Sequence, residues 1–229
     1  MMDMILFFRL KQILGILLKG VAHRAYIIAS KLPPRDWTVS NAFLRSLGRE
    51  YPLVFDIGCG DGARIAFHRY LLEEVAGVDL NNKGLKLAAS KGIQTVEAMG
   101  ESLPFRSNCF DLVTSFHVLE HIEDAESMIN ESFRVLKVNG YALIITPNRI
   151  RLSSRMLNIL SSPYKNKYPM NPDHVQEYTF MELASLANVS NYKGFLKIIP
   201  FGLLRLPVSL SFLQNWCDQL ALILFKGIQ

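Results

Sequence analysis

The chain holds 229 residues, 50% of them hydrophobic, with a formal net charge of +5. That is ample for one core, and the default is one α/β domain with elaborations. The three cysteines, at 59, 109 and 217, form no C-x-x-C pair, which excludes a disulfide framework and points to a reducing, cytoplasmic setting.

The charge is concentrated at the front. Residues 1–50 carry eight Lys/Arg against three Asp/Glu, and the remainder is close to neutral. No Lys/Arg-rich block interleaved with aromatics follows, so no nucleic-acid partner is expected. Residues 2–30 are strongly apolar but interrupted by Arg9, Lys11, Gln12 and Lys19. No uncharged run is long enough for a transmembrane helix, and no convincing signal-peptide cleavage site appears. Leu6, Leu10, Ile13, Leu14, Leu17 and Val21 step by three and four and make one helical stripe. Such a stripe packs on its own domain, forms a homodimer, lies on a membrane surface as a peripheral lid that meets lipid, or belongs to a cleaved targeting segment. Leu32-Pro33-Pro34-Arg35-Asp36 is a break, and Asn41 to Gly48 reads as a further helix capped by Thr38 or Ser40. Residues 1–50 are thus expected to be an amphipathic helical extension ahead of a domain over 51–229.

Leu53 to Ile57 is apolar and ends abruptly in Gly58-Cys59-Gly60-Asp61-Gly62. This reads as a buried strand, a tight turn, and a helix opening at Ala63. Glycine lets a ligand lie against bare main chain, and the first amides of the next helix suit an anionic group. A dinucleotide fold wants G-x-G-x-x-G. Here the spacing is G-x-G-x-G behind an acid, Asp56, which suits a ligand carrying an ammonium group better than a pyrophosphate.

Glu74 to Asp79 reads as a second strand ending in an acid about 20 residues past the glycines, where an adenosine ribose is gripped. A carboxylate can accept both ribose hydroxyl protons. Asp79 could also cap a helix over Asn81 to Ser90. Ile93 to Ala98 reads as a third strand, followed by Met99-Gly100-Glu101-Ser102-Leu103-Pro104-Phe105. Phe110 to Phe116 is a fourth strand running into His117-Val118-Leu119-Glu120-His121. A helix over Asp124 to Leu136 starts on acids and ends on bases, as its macrodipole prefers. Val138-Asn139-Gly140 is a turn, and Tyr141 to Thr146 a fifth strand.

Residues 148–178 form a long polar-aromatic insertion, of a length that is usually functional. It closes on His174-Val175-Gln176-Glu177-Tyr178-Thr179, with Thr179 capping a helix over Met181 to Asn188. Gly194 to Phe201 is a sixth strand. Residues 203–218 are an apolar cap segment, and Leu220 to Lys226 is a last strand or a terminal amphipathic helix.

Several of these stretches resemble the class I S-adenosylmethionine (SAM)-dependent methyltransferases, in the branch that includes ubiquinone and menaquinone methyltransferases. The segment from Val54 to Gly62 resembles their first motif. Met99 to Phe105 resembles a D-A-E-x-L-P-F stretch, with Met99 in place of the acid that helps hold the adenine amino group. Arg134 to Gly140 resembles R-V-L-K-P-G-G, and His174 to Thr179 an H-x-x-E-Y-T. The resemblance implies a Rossmann-like three-layer sandwich. Its sheet is mostly parallel and seven-stranded, and the last strand is antiparallel, inserted beside the fifth. It also implies SAM as cofactor, contacted by Asp56, Gly58, Cys59, Gly60, Gly62, Asp79, Leu80, Met99, Gly100, Glu101, Phe116 and His117.

Methyl transfer needs acceptor, methyl carbon and sulfur in line, and a base where the acceptor is a hydroxyl. The candidate bases are His121, His174 and His117, since histidine suits proton abstraction near neutral pH. Some relatives bind a divalent ion through E-x-x-E-H. This chain has His117 where the first Glu would stand, so no metal is expected, although Glu120, His121 and His174 could supply ligands. The apolar segments 2–30 and 203–218 suggest a small, lipid-like or isoprenoid-linked acceptor and membrane association. The rivals are an RNA or protein methyltransferase, a nicotinamide oxidoreductase, and a SAM-binding protein without activity.

Overall fold

A computed structural model describes residues 45, 51–68, 72–150, 173–189, 195–201, 217 and 219–227. The chain divides into units Met1–Thr38 and Val39–Gln229, and every described residue lies in the second. The stripe over residues 2–30, most of the 148–178 insertion and most of segment 203–218 therefore lie outside the described residues. So does the Asn41 to Gly48 helix apart from Arg45, which is helical.

Seven strands form one sheet. They are β1 (Tyr51–Ile57), β2 (Leu72–Asp79), β3 (Gln94–Glu97), β4 (Phe110–Phe116), β5 (Leu136–Pro147), β6 (Phe195–Phe201) and β7 (Gln219–Phe225), in the order β3-β2-β1-β4-β5-β7-β6. β1 to β5 pair in parallel, and β7 runs antiparallel between β5 and β6. The expected architecture is present, and residues 219–225 are a strand and not a terminal helix. Among the described residues the named helices are α1 (Ala63–His68), α2 (Asn82–Ser90), α3 (Ala125–Val135) and α4 (Phe180–Val189), with a 3-10 turn at Leu119–His121.

The central strands are apolar on both faces because both faces are covered. Val54, Val75 and Leu112 share a cluster with Ile65 of α1 and with Leu85 and Ala88 of α2. Phe55, Ile57, Val113 and Ile144 share another with Met128, Ile129 and Phe133 of α3 and Leu183 of α4. Each strand thus feeds alternate side chains to two helical layers.

Three local expectations change. Asp79 does not cap α2. The cap is Asn81, whose side chain accepts from the amides of Lys83 and Gly84, because Asp79 is already committed to Asn81 N at 2.7 Å and Gly60 N at 2.8 Å. The turn at Val138–Gly140 is absorbed into β5, which shifts register against β4 between Phe110 and Leu112. Asn139 takes a φ of 65° there, and its amide is satisfied by Lys226 O, so the strand continues through the irregularity. β3 is shorter than expected, because it is an edge strand paired to β2 alone. Thr179 does cap α4: its Oγ1 accepts from Glu182 N at 3.2 Å and its own amide donates to Glu182 Oε2 at 2.8 Å, a reciprocal capping box.

The order of strands reverses between β1 and β4, which leave in opposite directions across the sheet. A crevice outside the carboxyl ends of the strands at such a switch point is where ligands bind in open α/β sheets.

Candidate active site

The crevice is occupied by the glycine turn. Gly58 N and Cys59 N both donate to Val78 O, at 2.8 and 3.0 Å, which ties the turn back onto β2. Gly58 has a φ of 73°, and a Cβ on it would stand 2.1 Å from Val118 Cγ2. Gly60 has a φ of 53°, but a Cβ there would meet no heavy atom within 4 Å. One glycine is therefore required by close packing against the protein, and the other faces open space.

Beside the turn is a cavity of about 500 Å³. That is within the usual range for small-molecule sites. Gly58, Asp79, Leu80, Met99, Gly100, Glu101, Phe116 and His117 line it, as the sequence leads one to expect. Ile57, Val78, Ala98, Val118, His121, Ile122 and Glu123 complete the wall. Three of the lining residues are carboxylic acids, Asp79, Glu101 and Glu123, and none of those described is Lys or Arg. Such a wall repels a pyrophosphate and suits a cationic ligand.

Asp56, Cys59, Gly60 and Gly62 do not line the cavity. Cys59 turns its thiol inward against Gly77, and burial, then the charges of Asp56 and Asp79, push that thiol up to about 12. Only its backbone can face a ligand. Asp56 is buried and accepts from Thr114 Oγ1 at 2.5 Å, its register partner across β1 and β4. Burial pushes its carboxyl up to about 6; the Thr114 bond and the Arg64 charge pull the other way. Arg64 of α1 stacks 4.1 Å over the Phe116 ring and donates to Phe116 O.

Asp79 fits a sugar diol. Each of its oxygens accepts one backbone amide, and each keeps a second lone pair for a hydroxyl. Leu80 and Met99 are apolar side chains of the cavity wall that stay exposed, 63% and 53% accessible.

The histidines gather at the other side. His117 sits in the left-handed region, with φ 57°, uncommon for a residue with a Cβ. Its Nδ1 lies 3.2 Å from Glu120 Oε1 and its Nε2 3.1 Å from Gln219 Nε2, so both ring nitrogens are engaged. His121 Nδ1 lies 2.9 Å from the carbonyl of Asp173. A carbonyl only accepts, so that nitrogen carries a proton, and in the neutral ring it is Nε2 that keeps the lone pair. His174 Nδ1 is held 2.8 Å from the buried carboxylate of Glu177, and its ring meets that of His121 edge-on at 4.8 Å. The amides of Val175 and Gln176 donate to Glu120 O, which staples this loop to the 3-10 turn. Ligand atoms of Glu120, His121 and His174 lie within 4.8 Å of one another. Glu120 is fully buried and accepts also from Thr146 Oγ1 at 3.1 Å.

Sequence reading missed Thr114, Thr146, Glu177 and Gln219. Thr114 had a signal: a polar residue in an apolar strand that faces the only acid in β1. Glu177 had one in its spacing from His174. Gln219 had none, since it is 102 positions from His117.

Residues 55–144 match the protein family described as "Methyltransferase domain". These residues form a methyltransferase domain of the class I SAM-dependent kind. A probable SAM-dependent methyltransferase of Mycobacterium tuberculosis is 29% identical over 156 residues, 67% of this chain and 52% of the relative. The chain thus spans about half the length of the mycobacterial relatives it matches. A ubiquinone biosynthesis O-methyltransferase of Nitrosomonas europaea is 29% identical over 167 residues, 68% of each chain. Among solved structures, a methyltransferase of Thermotoga maritima described as a possible histamine N-methyltransferase superposes with TM-score 0.61 at 18% identity. It covers 91% of this chain and 95% of that one. The small RNA methyltransferase HEN1 superposes with TM-score 0.67 at 17% identity, over 85% of this chain and 25% of that one. The domain brings Gly58 of the glycine turn, Asp79, His117 and His121 to a single crevice.

Proposed function

We propose that this methyltransferase domain binds SAM in the cavity between Gly58, Asp79 and Met99 and transfers its methyl group to a small, lipid-like or isoprenoid-linked acceptor. The carrying observation is the cavity wall: three carboxylic acids and, among the described residues, no Lys or Arg, beside a bare-backbone turn at the sheet's switch point. SAM supplies an activated methyl on a sulfonium, so the protein's task is binding and alignment. Asp79 holds the ribose. Leu80 and Met99 cover the adenine, and Gly100 or Glu101 takes over the polar contact that an acid at position 99 would make. Phe116 and Gly58 flank the amino-acid end, with Asp56 behind the turn as a buried countercharge. His121 lines the cavity with Nε2 unprotonated and takes the acceptor's proton where a hydroxyl is methylated. Glu177 sets His174 beside it.

A small acceptor is supported by the ubiquinone biosynthesis relatives, of which one from Thiobacillus denitrificans is 27% identical and matched over 78% of its length. A lipid-like one is supported by the amphipathic stripe of residues 2–30, which would rest on a membrane surface. The test is incubation with labelled SAM and a cell lipid extract, followed by mass spectrometry. A methylated lipid or quinone precursor supports the proposal, and S-adenosylhomocysteine (SAH) release only with RNA or protein defeats the acceptor assignment. His121→Gln is expected to slow transfer by roughly 10²- to 10⁴-fold while leaving SAH affinity unchanged.

The convergence of Glu120, His121 and His174 favours a second reading, in which these three groups would hold a divalent cation that would supply Lewis-acid polarisation of an acceptor oxygen. Purified protein that carries no metal and keeps full activity in chelator excludes it.

A further inference from the structure

The wall that would cover the adenine is a turn, Met99 to Ser102, closed by Ser102 N donating to Met99 O at 3.3 Å. On its entry side is β3, a four-residue edge strand paired only to β2. On its exit side, no backbone amide bonds the carbonyls of Leu103 and Phe105 among the described residues. Side chains of α3 do that work. Glu131 Oε2 accepts from Leu103 N at 2.7 Å. Arg134 donates from Nη2 to Leu103 O at 3.2 Å and from Nη1 to Phe105 O at 2.7 Å. The two side chains also pair with each other, Nε to Oε1 at 2.5 Å and Nη2 to Oε2 at 2.8 Å. Between these anchors Gly100 lies so close to Ile57, Ile122 and Met128 that a Cβ would stand 3.1–3.4 Å from them.

We propose that Glu131 and Arg134, which touch no part of the cavity, are positioning residues for cofactor binding, holding the Met99–Glu101 wall in place from behind. The inference rests on the SAM reading above. A planar guanidinium can serve two carbonyls and a carboxylate at once, which the single ammonium of a lysine cannot do from one place. A wall held in its bound shape before the ligand arrives saves the ordering cost at binding.

The pair is one-third and one-fifth exposed, so a merely stabilising role must be separated from a positioning one. Arg134→Lys and Glu131→Gln serve as test variants, with Lys137→Met as control. Lys137 pairs with Asp111 at 2.9 Å, with similar exposure, and bonds nothing in the wall. SAH affinity is read by calorimetry on the folded proteins, and backbone protection by hydrogen exchange. Both test variants are expected to weaken SAH roughly tenfold and to lose protection over residues 99–105 but not over α2. Lys137→Met is expected to lower Tm without changing SAH affinity. Test variants that lose Tm yet bind SAH as the wild type does would overturn the proposal. In the wild type, saturating SAH must slow exchange of the Leu103 amide, because coupling between the two sites is reciprocal. An unchanged Leu103 amide overturns the proposal even if the variants fail to fold. Wild-type protein that binds no SAH strikes the cofactor reading itself; wild-type binding with unaltered variants strikes only the clamp.

Discussion

Gly58 and Gly60 are both glycines at positive φ, two residues apart, and alanine should have unequal consequences at each. At Gly58 the new methyl collides with Val118, so Gly58→Ala is expected to destabilise the protein, with Val118→Ala recovering part of the loss. At Gly60 the methyl meets no protein atom, so the cost is confined to the left-handed backbone, about 1–2 kcal/mol. Gly60→Ala should therefore stay folded, as melting followed by circular dichroism would show, and, because Gly60 does not line the cavity, should leave SAH affinity close to that of the wild type. Asp56 gives a pH signature. Its carboxyl is pushed up to about 6 by burial, so between about pH 4 and 6 the folded protein keeps a proton that the unfolded chain releases. This contribution is complete below pH 4 and is lost as pH rises through 6. Asp56→Asn should remove that fall, up to about 3 kcal/mol, in urea titrations across the window. A ligand ammonium near the turn would draw the carboxyl down, so SAM binding near pH 6 should release protons. The residue types around the turn were readable because glycines and a strand-end acid are needed in a fixed order. Which side chains face the ligand was not, since Asp56 and Cys59 turn inward for packing reasons set by β2 and β4.

Among elements, the strands were the most readable. Both-faced apolar runs such as Leu112-Val113 and Leu143-Ile144-Ile145 have no other home than a sheet covered twice. The antiparallel insertion of β7 was legible only through the family resemblance, since Leu220 to Phe225 alone fits a helix as well. Element ends were less readable. The run Asp79-Leu80-Asn81 offers two caps for α2, and the choice of Asn81 depends on the distant amide of Gly60. Asn81→Ala should cost about 1 kcal/mol in denaturant unfolding. It should barely change SAH binding, whereas Asp79→Ala should weaken binding by roughly 10- to 100-fold through lost charged hydrogen bonds. Equal effects of the two variants would mean that Asp79 serves the turn and not the sugar.

For the molecule as a whole, the sheet order decides where chemistry can occur. The reversal between β1 and β4 opens the crevice, the turn after β1 floors it, and the loop after β4 brings His117 and His121 to its edge. The loop ending at Glu177 then closes on the same place through hydrogen bonds to the 3-10 turn. Those long-range meetings, and that of Gln219 with His117, follow from topology and have no local sequence signal. The account depends on one occupant of that crevice. Calorimetric titration of SAH into the wild type and into Asp79→Ala tests it most directly, because Asp79 lines the cavity. One molecule bound per chain by the wild type, and binding weakened roughly 10- to 100-fold in a variant that is still folded, is the predicted result. A wild type that gives no heat and no competition with SAM, or an Asp79→Ala that binds as tightly, would contradict it.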